Sequence, residues 1–247
     1  MRYVTALFLV FLAAPCLSAA PCEPTPLDDY VKQGRDLLIG EPHGVNESPE
    51  LVRCLVLTAL SRKDAEPLVV SIEHTPAARD LAGDDWKSRD GRSSIAMWEL
   101  AKFLFEQEKL GRLTVAFHMP VIHATRPEDI PDSAGYEKLM GGPLRELARK
   151  NHLIALVGNL HSRKSRPGWL PYDPAGVYVG DEVLHVSVEN VLAGTAWGNM
   201  NGEYKSSPSV GNLFADQTPG ALIDGTRVEH DFAYLVPRFT ASGPKYP

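Results

Sequence analysis

Cysteine is scarce in this chain. Three cysteines among 247 residues are too few for a fold built on a disulfide framework. An excess of basic charge is also missing. Lys and Arg number 25 against 31 Asp and Glu, a net charge of −6, which argues against a general nucleic-acid binder. After the first twenty residues no apolar run is long enough to cross a bilayer. There is no internal repeat and no low-complexity tract. What is present, 44% hydrophobic and 23% charged residues, is the composition of a globular protein, at a length that suits one generous domain.

Several catalytic signatures are absent as well. There is no G-x-S-x-G elbow, no H-E-x-x-H, no phosphate-binding loop and no G-x-G-x-x-G. A serine hydrolase with that elbow, a zincin, a nucleotide kinase and a Rossmann dehydrogenase are thereby disfavoured.

The N-terminus reads as a processing segment. Arg2 supplies a positive start, Val4 to Ala14 is continuously apolar, and the small residues Ser18, Ala19 and Ala20 follow. The expectation is a signal peptide over residues 1–20 and one domain over 21–247, secreted or periplasmic, with no transmembrane segment in the mature chain. Export changes the meaning of the cysteines. Cys16 leaves with the signal, and Cys22 and Cys54 remain as an even pair in an oxidising compartment. A Cys22–Cys54 disulfide would pin the N-terminal tail to the first long helix. The alternative is two unpaired thiols.

Four short apolar runs stand out, over residues 36–39, 67–72, 113–117 and 152–157. None alternates cleanly. Near-continuous apolar runs of strand length are typical of strands covered on both faces. Between them lie helical patterns. Ser48 reads as an N-cap with Pro49 at the first helical position and Glu50 behind it. A second helix runs from Ser93–Ser94 to Lys109 with Ile95, Trp98, Ala101 and Phe105 on one stripe. A third, shorter pattern carries Leu144, Leu147 and Ala148. The order β-α-β-α-β-α-β points to an α/β fold with a mainly parallel sheet and helices on both faces. Val183–Val188 and Phe232–Val236 read as further strands. Residues 194–230, rich in Gly, Asn, Ser and Pro, read as long loops or an irregular cap in a loop-rich C-terminal third.

The chemistry collects where the strands end. The first run ends in Gly40-Glu41-Pro42-His43, the second in Glu73-His74, the third in His118 and the fourth in Gly158-Asn159-Leu160-His161. In an open parallel sheet, ligands bind outside the carboxyl ends of the strands. Four tips therefore deliver acids and imidazoles to one edge. Gly40 and Gly158 let the backbone turn sharply there. Arg92 precedes the second helix and suits an oxyanion or carboxylate. His118 and Arg163 are candidate substrate contacts. Arg163, with Lys164 and Arg166, would draw in an anionic substrate, or forms a solvated basic loop.

Two G-x-x-H motifs, 40–43 and 158–161, with Glu73 after the second strand and Arg92, resemble the Tiki, TraB, erythromycin-esterase and ChaN-like superfamily. Residues 38–44 are most similar to its ChaN-like and esterase-like branches. The resemblance covers residues 30–165. It implies an α/β fold with one cleft at the strand ends, in which His43 and His161 are the two histidines and Glu41 and Glu73 the acid pair. Esterase-like members place the His three residues after the Glu; here it is two.

The branches imply different activities. One is hydrolysis of an ester, lactone or amide in a small molecule or peptide. In it His43 deprotonates water, Glu41 or Glu73 orients the imidazole, and His161 or Arg92 meets the oxyanion. A variant has His43, Glu73 and His161 hold a divalent metal such as Mn, Co or Zn. The other branch implies a ligand-binding protein, with haem as the ligand and Trp169, Tyr172 and Tyr178 lining its pocket.

Overall fold

The computed structural model describes residues 22–62, 66–123, 125–126, 129–200, 203–208 and 213–246. The expected signal peptide lies outside them. The apolar runs are strands: β1 (Leu37–Glu41), β2 (Leu68–Ile72) and β4 (His152–Gly158) are buried on both faces, and β3 (Thr114–Phe117), at the sheet edge, is only partly covered. β5 (Leu184–Asn190), β8 (Leu222–Asp224) and β9 (Phe232–Val236) complete a seven-stranded sheet of order β3-β2-β4-β1-β5-β9-β8. All its pairings are parallel except β8 with β9.

Side-chain alternation explains why the runs are unbroken. Leu37, Ile39, Val70, Ile154, Leu156 and Val186 face one core, and Leu38, Val69, Leu153, Ala155 and Val157 face another. The first core is covered by α1 (Leu27–Lys32), α2 (Glu47–Leu60) and α3 (Ile95–Lys109). The second is covered by α4 (Ser133–Ala148) and α5 (Ala175–Val179). With apolar layers on both sides, neither strand parity can be polar.

Three local expectations are corrected. Helix α2 starts at Glu47, so Ser48 is inside the helix, and its buried hydroxyl has no hydrogen-bond partner. The C-terminal segment pulls the start back: Glu47 accepts from the Thr240 backbone and hydroxyl, and the Asn46 amide donates to Thr240. Helix α4 is longer than the sequence pattern suggests. Asp132 caps it by accepting from the Gly135 N–H at 2.8 Å, and Gly141-Gly142-Pro143 interrupts its periodicity without ending it. A side chain at Gly141 would collide with the Ala175 carbonyl of α5. Finally, residues 194–230 are not all loop. They contain β8 and an antiparallel hairpin of β6 (Thr195–Met200) and β7 (Glu203–Pro208).

The sheet order positions the site. The chain lays β2 and β3 to one side of β1, then returns β4 into the gap between β1 and β2. Glu41 is in register with Gly158, and Ile72, just before Glu73, with Leu156. The tips of β1, β4 and β2 are therefore side by side.

Candidate active site

Glu41 is the last residue of β1, and its carboxylate is buried. Two residues on, His43 turns its ring back over the tip. Its Nδ1 donates to Glu41 Oε1 at 3.0 Å, and its Nε2 lies 3.6 Å from Glu73 Oε2. The turn closes through Gly44 at φ +78°, a conformation that favours glycine. The Gly44 carbonyl accepts from the N–H of Trp197 in β6, which seats the hairpin on this turn.

Glu73 is 2% exposed and is the hub of the cluster. Its Oε2 accepts from the Gly158 N–H at 2.7 Å. Its Oε1 accepts from Arg92 Nη1 at 3.3 Å and stands 4.0 Å from His161 Nε2. Gly158 matters here for what it lacks. A Cβ at this position would sit 2.8 Å from His43 Nε2 and 3.4 Å from Glu73 Oε2. Glycine therefore lets the His43 ring and the Glu73 carboxylate close directly onto the backbone here. Arg92 is held by Asp90 at 3.0 Å and reaches Met119 Sδ at 3.5 Å.

Two residues of α4 join the site without any signal at a strand tip. Glu137, buried, receives His161 Nδ1 on both carboxylate oxygens, at 2.8 and 2.9 Å, and also the Ala175 N–H at 2.8 Å. The Tyr136 ring lies 6.5 Å from that of His161. Asp132 capping followed by an acid one turn in was the available clue, but it reads as ordinary helix-start chemistry.

The electrostatics follow from this packing. Burial opposes a charge on His43, but the Glu73 charge and the bonds to Glu41 and Glu73 outweigh it and push the imidazole up to about 10. Burial likewise opposes a charge on Glu73, yet His43, His161 and the Gly158 N–H hold its carboxyl well below the usual range. Burial raises Glu41 despite its bond to His43. His161 is raised: burial is overcome by the bond to Glu137 and the charge of Glu73. The chemistry available is proton transfer at His43 Nε2 beside a fixed anion, with a guanidinium and a second imidazole on the anion's far side.

Not every candidate enters the cluster. His118 is buried at the end of β3, its Nδ1 2.8 Å from Ser71 Oγ and its Nε2 without a partner. Burial pushes it down to about 4, so it is neutral. Arg163 is bound by Glu229 and stacks its guanidinium 5.7 Å from the Trp169 ring. Trp169 is 68% exposed, whereas a haem pocket would bury it. Cys22 and Cys54 are joined by a disulfide.

The donor types for a divalent metal are present, since both imidazoles turn Nδ1 to a carboxylate and Nε2 inward. The spacing does not fit. Among the described residues the group of three whose ligand atoms all lie within 4.8 Å of one another is Cys22, Glu50 and Cys54, two of which are the disulfide. His43, Glu73 and His161 do not close to that distance, and Arg92 already neutralises Glu73.

A cavity of about 280 Å³ opens beside His43, walled by Pro42, Trp197, Pro208 and Phe239. A smaller one, about 170 Å³, lies at Glu73, His74 and Arg92. Among the described residues no helix is long and apolar enough to cross a membrane.

Comparison with protein-family models gives no match, and neither does comparison with curated proteins. A solved structure, the crystal structure of RRSP, a MARTX toxin effector domain from Vibrio vulnificus CMCP6, is similar at 19% identity over 67% of this chain, with a TM-score of 0.38. The match covers 36% of that chain, so this chain corresponds to about a third of its length.

Proposed function

We propose that this chain is an exported hydrolase that uses water to cleave an ester, lactone or amide in a small molecule or peptide, with His43 handling the proton. The observation that carries the reading is the His43 ring held between two buried carboxylates at the mouth of a cavity. A water beside His43 gives its proton to Nε2 while its oxygen bonds to the carbonyl carbon. Glu41 on Nδ1 fixes the tautomer and stabilises the imidazolium that forms. Arg92 and His161 are the donors for the developing oxyanion. As the tetrahedral species collapses, the bond to the leaving group breaks and His43 Nε2 returns the proton to it. The Cys22–Cys54 bond suits the oxidising compartment that export implies.

The test is hydrolysis of ester, lactone and peptide panels, followed by pH–rate profiles. His43 with a pKa raised to about 10 carries its proton at neutral pH, and only the deprotonated ring is a base. The expected kcat/KM therefore climbs with pH across the neutral range and levels off near that value. Burial aside, Glu73 is the main group that raises His43, so Glu73→Gln moves the rising limb to lower pH. His43→Ala costs on the order of 10²- to 10⁴-fold. Chelators leave the rate unchanged, because Arg92 occupies Glu73. A profile that falls between pH 7 and 9, or wild-type rates in His43→Ala, overturns the base assignment.

A further inference from the structure

The cavity beside His43 is lined mainly by apolar residues but includes a carboxylate. Glu189, the penultimate residue of β5, lines it together with His43. The placement follows from register: Gly40 pairs with Ser187, so Glu189 reaches the level of Pro42, next to the turn that carries His43. One carboxylate oxygen of Glu189 accepts from the Ser187 hydroxyl at 2.6 Å. Among the described residues it has no cationic partner. The other acids around it differ in this respect. Glu229 holds Arg163, Asp231 holds Lys164 and Asp90 holds Arg92. Arg163 is near enough to stabilise the Glu189 charge slightly, but its guanidinium is committed to Glu229.

A half-buried carboxylate with only a hydroxyl for company costs folding free energy and returns little structure. The walls around it are rigid. Trp197 is fixed by its indole N–H, which donates to the Arg89 carbonyl at 2.8 Å, and Phe239 is buried. A mainly apolar cavity lined by Trp197 and by an anion without a cationic partner has the features that bind an ammonium or guanidinium on an aliphatic stem.

We propose that this cavity is the side-chain subsite of the enzyme, and that Glu189 makes it select substrates bearing an amine or guanidinium group next to the scissile carbonyl. Its role as a substrate subsite rests on the hydrolytic reading above; the binding of a cation there does not. The groups that bear on the Glu189 charge are Ser187 on its own strand and Arg163 from the segment after β4; His43 lines the same cavity.

The experiment uses two matched probes on the full mature chain. Nα-acetyl-lysine methylamide and its norleucine counterpart differ only at the end of the side chain, and binding of each is followed by calorimetry. The expected result is about tenfold tighter binding of the lysine probe, a preference that Glu189→Gln abolishes while norleucine binding is kept. Equal binding of the two probes, tighter binding of norleucine, or a lysine preference that survives Glu189→Gln overturns the proposal. A wild-type pH series gives a second reading that needs no variant. Burial raises the Glu189 carboxyl, so the lysine advantage fades on acidification before an ordinary glutamate would take up its proton, and an advantage that persists after ordinary glutamates are protonated overturns the proposal. The corresponding methyl esters separate the two ideas. Probe discrimination without turnover of either ester keeps the pocket and sinks the hydrolase. Equal turnover with equal binding keeps the hydrolase and sinks the pocket.

Discussion

Gly40 and Gly158 lie at the carboxyl ends of neighbouring strands, one residue before the end of β1 and at the end of β4, yet a methyl group added to each meets a different part of the molecule. At Gly40 it collides with the buried Ser162 Oγ, whose hydroxyl donates to His230 Nε2 at 2.7 Å. Neither partner has room to yield, so Gly40→Ala is expected to cost about 1–3 kcal/mol of stability, read by chemical denaturation. At Gly158 the methyl meets the His43 ring and the Glu73 carboxylate. His43 is partly exposed and can swing away, so Gly158→Ala is expected to fold with near-wild-type stability and lose hydrolysis about a hundredfold. His118 gives a residue-scale test of another kind. Burial holds it down to about 4 from 6.5. Between those pH values the unfolded chain binds a proton that the folded ring refuses, so this group makes stability fall as pH drops. Asp36, raised by burial to about 6, acts in the opposite sense, so the informative quantity is a difference. Wild type is expected to lose roughly 3 kcal/mol more than His118→Gln between pH 6.5 and 4, measured by denaturation at each pH.

At the scale of elements, α4 is the piece that turns a sheet edge into a site. It packs against the sheet face opposite α1, α2 and α3, and its first turns bring Glu137 under His161. The same carboxylate accepts the first N–H of α5, so helix packing and ring orientation are set by one group. Glu137→Gln keeps the shape and an acceptor for Nδ1 while removing the charge. His161 is then expected to titrate at lower pH in NMR spectra, because Glu137 is the largest influence raising it. kcat/KM is expected to fall about ten- to a hundredfold. A loss of activity with the His161 titration unmoved would mean that Glu137 acts only through packing. The hairpin of β6 and β7 has the complementary task. It sits on the Gly44 turn and contributes Trp197, so it shapes the mouth of the cavity and leaves the proton chemistry to the strand tips.

At the scale of the whole molecule, the N-terminal segment is tied down twice. The Cys22–Cys54 bond links it to α2, and Asp28 of α1 accepts from the Thr58 hydroxyl of α2. The sequence separation of 32 residues gives a loop whose closure is worth about 2–4 kcal/mol. The double variant Cys22→Ser with Cys54→Ser is expected to lose stability of that order, seen as a lower thermal midpoint. Hydrolysis below that midpoint is expected to be unchanged, because Cys54 lies two helical turns into α2, away from the strand tips. An equal loss from adding reductant to the wild type would assign the effect to the bond itself.

The primary structure alone determined the parallel sheet and the edge where the candidate site residues gather. Largely apolar runs of four to six residues without clean alternation favour strands covered on both faces, and the polar residue after each run must lie at its carboxyl end. Glu41, His43, Glu73 and His161 were legible for that reason, since each ends a strand or lies within three residues of a strand end. Glu137 was not, because an acid early in a helix satisfies the helix dipole whether or not it meets an imidazole. The hairpin was hidden by turn-rich composition, and the true start of α2 by a contact with Thr240, 193 residues away. Strand order was decided only in three dimensions. No local signal states that β4 inserts between β1 and β2, and that insertion brings Gly158 between His43 and Glu73. Packing of two helical layers against one sheet, a property of the entire chain, selects it.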